Sequence, residues 1–121
     1  RGRGMRGPLA WPRVPVMTSR SARFDELVLD AAEAVERRLG HELGIELAVE
    51  EVPPSDPAPW EHGVPLGRLF PAERHLPARL VIYRRPITER AVEEGELAAV
   101  VHEVVAEQVA RMLGRDPEDL T

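Results

Sequence analysis

The sequence predicts an α+β fold in which two main helices pack on a short β-sheet. One segment near the N-terminus and one at the C-terminal end have apolar residues at the spacing of amphipathic helices. Between them lie two short apolar segments that are typical of strands, separated by a long stretch rich in proline and glycine. With 121 residues, of which 43% are hydrophobic, the chain can form one small domain with a single modest core.

The first predicted helix is residues 21–40, SARFDELVLDAAEAVERRLG. Ser21 can cap its start, and Gly40 can end it because glycine tolerates the left-handed backbone conformation. Its apolar residues recur at helical spacing and mark one face, namely Phe24, Leu27, Val28, Ala31, Val35 and Leu39. We expect this face to cover the sheet.

Two strands are predicted in the middle of the chain. Residues 45–52, IELAVEEV, alternate roughly between apolar and polar side chains, which indicates a half-buried strand. Residues 78–86, ARLVIYRRP, form a compact apolar segment that Pro86 would end. Residues 53–60 contain four prolines and predict a stiff loop, and residues 61–78 are predicted to stay irregular. A loop this long in a small domain is usually functional or covers an edge of the core.

The second predicted helix begins at Thr88 or Glu93 and ends near Gly114. Its face is marked by residues at helical spacing, namely Leu97, Val101, Val104, Gln108 and Met112. The element order is therefore helix, strand, long loop, strand, helix. This order is typical of a layer in which two helices cover one small sheet.

The distribution of charge along the chain limits how it could bind nucleic acid. Residues 1–20 contain five arginines and no acidic residue, which predicts a disordered basic arm, either a solubilising tail or residues upstream of a start at Met17. Residues 21–121 hold 11 arginines against 21 acidic residues, a net charge of −10, so nucleic acid is expected to bind only through the arm.

The chain contains no cysteine, which excludes disulfides and any zinc site with sulfur ligands. It contains no apolar run approaching the roughly 18 residues of a membrane helix and no apolar core of a signal peptide. We therefore expect a cytoplasmic protein with no membrane partner.

One pair of residues suggests a metal site. His102 and Glu103 open the pattern H-E-x-x-H of zinc peptidases, but Ala106 stands where the second histidine belongs. Zinc peptidase chemistry needs three protein ligands, an open position for water and a carboxylate that takes the proton of that water. A zinc site in this chain would therefore need a rearranged set, with His102 and Glu103 or Glu107 completed by a loop histidine, His62 or His75.

Several segments together resemble the small bacterial zincin-like metallopeptidases, or minimal zincins, over about residues 22–120. These segments are RFDELVLDAAEAV, VEEVPP, GVPLGRL, RLVIYRRPI and the C-terminal LGRDPEDL. The resemblance implies a minimal zincin fold with the last helix in the position of the active-site helix. In that family the helix carries a signature of the type H-E-x-x-H-H-F-G-x-x-D, whose two histidines and aspartate hold zinc and whose glutamate is the general base.

The resemblance implies that this signature is degenerate here. When MLGRD is matched to the turn HFGxD, Glu107 takes the place of the first histidine, Gln108 that of the base, and Arg111 that of the second histidine. Asp116 or Pro117 then lies near the third ligand. An amide cannot act as a base and a guanidinium cannot bind a cation. This register implies no catalytic residue, no metal ligand set and no cofactor; a register that begins at His102 places Ala106 at the second ligand.

Two functions follow as hypotheses. The leading one is a catalytically degenerate, non-catalytic module that binds a protein or peptide by strand addition in a groove between the sheet edge and the last helix. Glu107, Arg111 and residues 60–70 would line this groove. The alternative is an active metal-dependent peptidase that holds zinc through His102, Glu103 and Glu107.

The spacing of Glu107 and Arg111 also predicts a contact, because the two residues are four apart on one helix. They form either an ion pair in place of the metal or an ordinary surface pair worth about 0.3–0.5 kcal/mol.

Overall fold

The computed structural model describes residues 5–8, 20–54, 64–91 and 93–121. The fold is α+β, as predicted. Its elements in chain order are β1 (Met5–Pro8), α1 (Arg20–Leu39), β2 (Glu46–Glu50), β3 (Gly67–Phe70), β4 (Arg79–Tyr83), α2 (Arg84–Arg90), α3 (Glu94–Leu113) and the short 3-10 helix η1 (Pro117–Leu120). No helix in these ranges is long and apolar enough to cross a membrane.

The sheet is mixed, with strand order β1-β2-β4-β3. The central strands β2 and β4 are parallel, in a register that runs from Glu46 opposite Arg79 to Glu50 opposite Tyr83. The outer strands β1 and β3 are antiparallel to their neighbours. The most continuous apolar segment of the chain, β4, therefore lies in the interior of the sheet, where both faces of a strand can be buried.

The two faces of the sheet are buried separately because side chains alternate along each strand. Val49, Leu80 and Ile82 belong to the main core, which they share with the apolar faces of α1 and α3. Ala48, Val81 and Tyr83 point to the opposite face and form a second, smaller buried cluster. The main core therefore occupies the layer between the helices and the sheet.

Helix α1 confirms the first predicted helix. Phe24, Val28 and Val35 on its predicted face are each at most 1% exposed. The helix ends at Leu39, and Gly40 follows with a φ of 87°, in the left-handed region that favours glycine. The Gly40 N–H donates to the carbonyl of Glu36 at 2.8 Å, which satisfies one of the last helical acceptors.

Helix α3 begins at one of its two predicted starts. Glu93 is the N-cap and forms a capping box with Glu96, whose Oε1 accepts from the Glu93 N–H at 3.2 Å. Thr88, the other predicted start, instead lies in the separate short helix α2. Gly114 ends α3 in the left-handed conformation, as its position predicts.

Two local predictions are wrong. Pro86 does not end a strand but lies in the first turn of α2, where a missing N–H breaks no helical hydrogen bond. Residues 61–78 are not wholly irregular, because residues 67–70 form the edge strand β3. Within the predicted N-terminal arm, the described residues Met5–Pro8 form β1, which pairs with β2 on an edge that tolerates proline. Of the predicted groove lining, residues 60–63 lie outside the described residues.

Candidate functional site

A cleft of about 300 Å³ lies between the edge strand β3 and helix α3. The strand contributes one wall and the last turns of the helix contribute the other. The lining residues are Gly67, Arg68, Leu69, Pro71, Gln108, Arg111 and Met112. The sequence predicted a groove between the sheet edge and the last helix, and the structure has one at this place.

Gly67 sets the closeness of the two walls. A Cβ atom at this position would lie 2.9 Å from Cγ1 of Val104 on α3 and 3.3 Å from the backbone oxygen of Val81 on β4. Only a residue without a side chain allows β3 to approach the helix and the neighbouring strand this closely. Gly67, the second glycine of GVPLGRL, therefore positions the strand wall of the cleft.

The buried face of α3 fixes which of its side chains reach the cleft. Val101, Val105 and Val109 are fully buried in the main core, which anchors the rotation of the helix about its axis. Gln108 and Arg111 are three residues apart, so they lie on one flank of the helix. Both line the cleft.

Gln108 is the one polar residue among the buried side chains of the described ranges, with 9% of its surface exposed. It takes part in no hydrogen bond of the described structure. None of the fully enclosed side-chain nitrogen or oxygen atoms of these ranges lacks a hydrogen-bond partner. The unpaired amide of Gln108 therefore opens into the cleft that it lines.

Glu107 and Arg111 both lie on the exposed surface of α3. The ion pairs within the described ranges join Arg79 to Glu46 at 3.2 Å and Arg84 to Glu51 at 2.7 Å. No contact between Glu107 and Arg111 is found among them. An exposed pair on a helix is worth only about 0.3–0.5 kcal/mol, so hydration of the two side chains competes with it. Arg111 lines the cleft as predicted, whereas Glu107 does not.

The residues at the implied metal positions do not fit a zinc ion. Glu107 offers one carboxylate, Gln108 a neutral amide, and Arg111 a permanent positive charge that repels a cation. The carboxylate of Asp116 is already engaged, because its Oδ1 accepts from the N–H of Glu118 at 3.0 Å and caps η1. Across the described ranges, no group of three His, Cys, Asp or Glu residues could hold a metal ion.

Among the described residues, the alternative ligands do not form a group that could hold a metal ion either. Successive residues of a helix are rotated by about 100°, so His102 and Glu107 lie about 140° apart around α3. His102 is half-buried, while Glu103 and Glu107 are exposed. His75 is exposed in the turn between β3 and β4. His62 lies outside the described residues.

Burial also favours the register in which Glu107 and Arg111 stand at the histidine positions. In the register that begins at His102, the second ligand would be Ala106. That residue is 0% exposed and belongs to the main core, where a metal ligand would be surrounded by apolar side chains. Arg111, by contrast, faces the cleft.

A second feature that the sequence did not predict lies where the two central strands end. The Arg84 guanidinium donates to both carboxylate oxygens of Glu51, from Nε at 2.8 Å and from Nη2 at 2.7 Å. This hydrogen bonding raises the pKa of Arg84 further above its already high usual value. The Arg85 N–H donates to the Glu51 carbonyl at 2.9 Å. Both the side chain and the backbone of Glu51, which follows β2, therefore bind the start of α2.

A family model for zincin-like metallopeptidases matches residues 43–121 of this chain, which is more than half of its length. The match includes the cleft and all of α3. A comparison with curated proteins found no match. By its sequence match, this chain belongs to the zincin-like metallopeptidase family.

Proposed function

We propose that this chain is a zincin-like domain without metal-dependent catalysis, and that it binds an extended peptide or protein segment in the cleft between β3 and α3. The observation that carries this proposal is the placement of Gln108 and Arg111. Both side chains line the cleft. The resemblance puts them at the positions of the general-base glutamate and the second histidine of the family signature.

The chemistry of these two side chains supports the loss of catalysis. The amide of Gln108 has no carboxylate to take a proton from water, and the guanidinium of Arg111 stays protonated and offers no lone pair. A metal-bound water and a base are the two parts that zinc-dependent hydrolysis requires. The residues present supply neither part at this place.

The geometry of the cleft supports peptide binding. β3 is the last strand of the sheet, and no described strand pairs with its outer edge. An edge strand presents unpaired backbone N–H and C=O groups, to which an extended peptide can add as a further strand. Leu69, Pro71 and Met112 give the cleft apolar surface for the side chains of such a peptide.

Metal analysis of the full chain, purified without added chelator, tests the loss of the metal site. We expect zinc far below one ion per chain, and the same low content in a His102→Ala variant and in a matched His75→Ala control. Stoichiometric zinc that disappears in the His102→Ala variant would contradict the proposal, because it would establish the rearranged ligand set.

Selection from a display library of ten-residue peptides tests the binding function. We expect selected peptides to slow the amide hydrogen exchange of residues 67–70, because strand addition would pair the outer edge of β3. Failure to select any peptide, or protection that leaves β3 unchanged, would refute binding at this edge.

A further inference from the structure

We infer that Gln108 and Arg111 form a carboxylate-binding subsite, which selects extended peptides that carry an aspartate or glutamate side chain. This inference rests on the proposed function, because it states which residue the bound peptide must contain. The subsite lies at the α3 wall of the cleft, opposite the backbone of β3.

The first observation is the unpaired amide of Gln108. The side chain is nine-tenths buried and forms no hydrogen bond within the described ranges. No enclosed side-chain nitrogen or oxygen atom of these ranges lacks a partner, so the unpaired amide reaches solvent at the cleft and can exchange water for a ligand there. A ligand that enters the cleft can supply the missing acceptor for the amide NH₂ group.

The second observation is the local charge of the cleft. Its lining includes Arg68 and Arg111 and no carboxylate, although residues 21–121 carry a net charge of −10. Arg68 already has an interaction of its own, so the inference does not depend on it. Arg111 belongs to neither of the ion pairs formed within the described ranges. The cleft is therefore complementary to a negative charge.

A carboxylate is the peptide group that matches both side chains. The planar guanidinium presents two parallel N–H donors that fit the two oxygens of a carboxylate. The amide of Gln108, three residues earlier on the same flank, adds a further donor. Leu69 and Met112 line the same cleft and offer apolar surface for the methylene groups of an aspartate or glutamate. A lysine or arginine at this place would be repelled.

The test is a selection from ten-residue peptides displayed without a free C-terminus, so that only side chains can provide a carboxylate. Wild type, Arg111→Gln and Arg115→Gln are compared. Arg115 is exposed and does not line the cleft, so its variant makes the same charge change outside the subsite. We expect one position enriched in aspartate or glutamate with wild type and Arg115→Gln, and no such position with Arg111→Gln.

A double-mutant cycle then measures the binding of one selected peptide, amidated at its C-terminus, to wild type and to Arg111→Gln. Replacing its acidic residue by the matching amide is expected to weaken binding to wild type by about tenfold or more, because a charge-assisted pair is lost. The same replacement is expected to leave binding to Arg111→Gln nearly unchanged.

The outcomes separate the inference from the proposed function. Selected peptides without an acidic position, or an acidic preference that persists in Arg111→Gln, would overturn the inference and leave peptide binding intact. The absence of any selected peptide would overturn the proposed function, and the inference with it.

Discussion

At the scale of single residues, the cleft holds a conflict between stability and function. Gln108 occupies a position in α3 where its neighbours Val105 and Val109 are fully buried and apolar. The amide has no protein partner within the described structure and reaches solvent only at the cleft, so the restriction of its hydration adds a desolvation cost. Residues that lower stability in a cleft are characteristic of sites that bind a ligand.

This conflict predicts that Gln108→Met stabilises the chain while weakening peptide binding. Methionine has a similar shape and no amide, so the free energy of unfolding is expected to rise by about 1 kcal/mol. Urea unfolding of the two proteins measures the change. A destabilised Gln108→Met variant would contradict the prediction, since it would mean that the amide makes a favourable interaction in the unbound chain.

At the scale of elements, the packing of β3 against α3 depends on a single glycine. The Gly67→Ala substitution would place a methyl group 2.9 Å from Cγ1 of Val104 and 3.3 Å from the backbone oxygen of Val81. Overpacking of this kind typically costs about 1–3 kcal/mol, so we expect the free energy of unfolding to fall by that amount. Thermal or urea unfolding provides the measurement.

Gly95→Ala is the matched control, because a Cβ at Gly95 meets no atom within 4 Å. It lies in the first turn of α3, where alanine is expected to leave stability unchanged or to raise it. If the clash involves Val104, a double variant with Val104→Ala should lose less stability than the sum of the single variants. Strict additivity would place the strain elsewhere.

The elements also indicate what can be predicted from sequence and what cannot. Helices α1 and α3 were predictable because their apolar spacing and terminal glycines act within one segment. β3 was not predicted, because its four residues carry little local pattern and are specified by pairing with β4, which follows later in the chain. The same reason applies to β1. Strand pairing between distant segments leaves no periodicity to detect.

The candidate site, too, could be predicted from the sequence only in part. The resemblance predicts the register of the signature along α3 and with it the positions of Gln108 and Arg111, and this register stays a prediction. The exposure of the two side chains could not be predicted, because it depends on how α3 is rotated against the sheet. Glu107 and Arg111 were predicted to pair from their spacing, yet the pair is not formed within the described structure. Spacing on a helix permits a surface ion pair, but solvation decides whether it forms.

At the scale of the whole molecule, the sheet and the last helix form the scaffold of the cleft, and the proposed loss of catalysis concerns only a few side chains that line it. Fold and activity are separable in this way because activity depends on a few side chains that the scaffold positions. The main core contacts α3 through its other face, so changes at the cleft leave the packing of the domain largely untouched.

This separation predicts that a zinc site can be rebuilt on the scaffold. The combined substitutions Glu107→His, Gln108→Glu, Arg111→His and Pro117→Asp restore two imidazoles, a carboxylate base and a third ligand in the family's order. We expect the variant to fold and to bind about one zinc ion per chain, whereas wild type does not. Metal analysis after dialysis against zinc, with circular dichroism as a check of folding, measures the bound zinc.

The matched control omits Pro117→Asp and is expected to bind zinc more weakly, because two histidines alone leave the site short of a ligand. A folded variant that binds no more zinc than wild type would show that Glu107 and Arg111 do not stand at the histidine positions of the family.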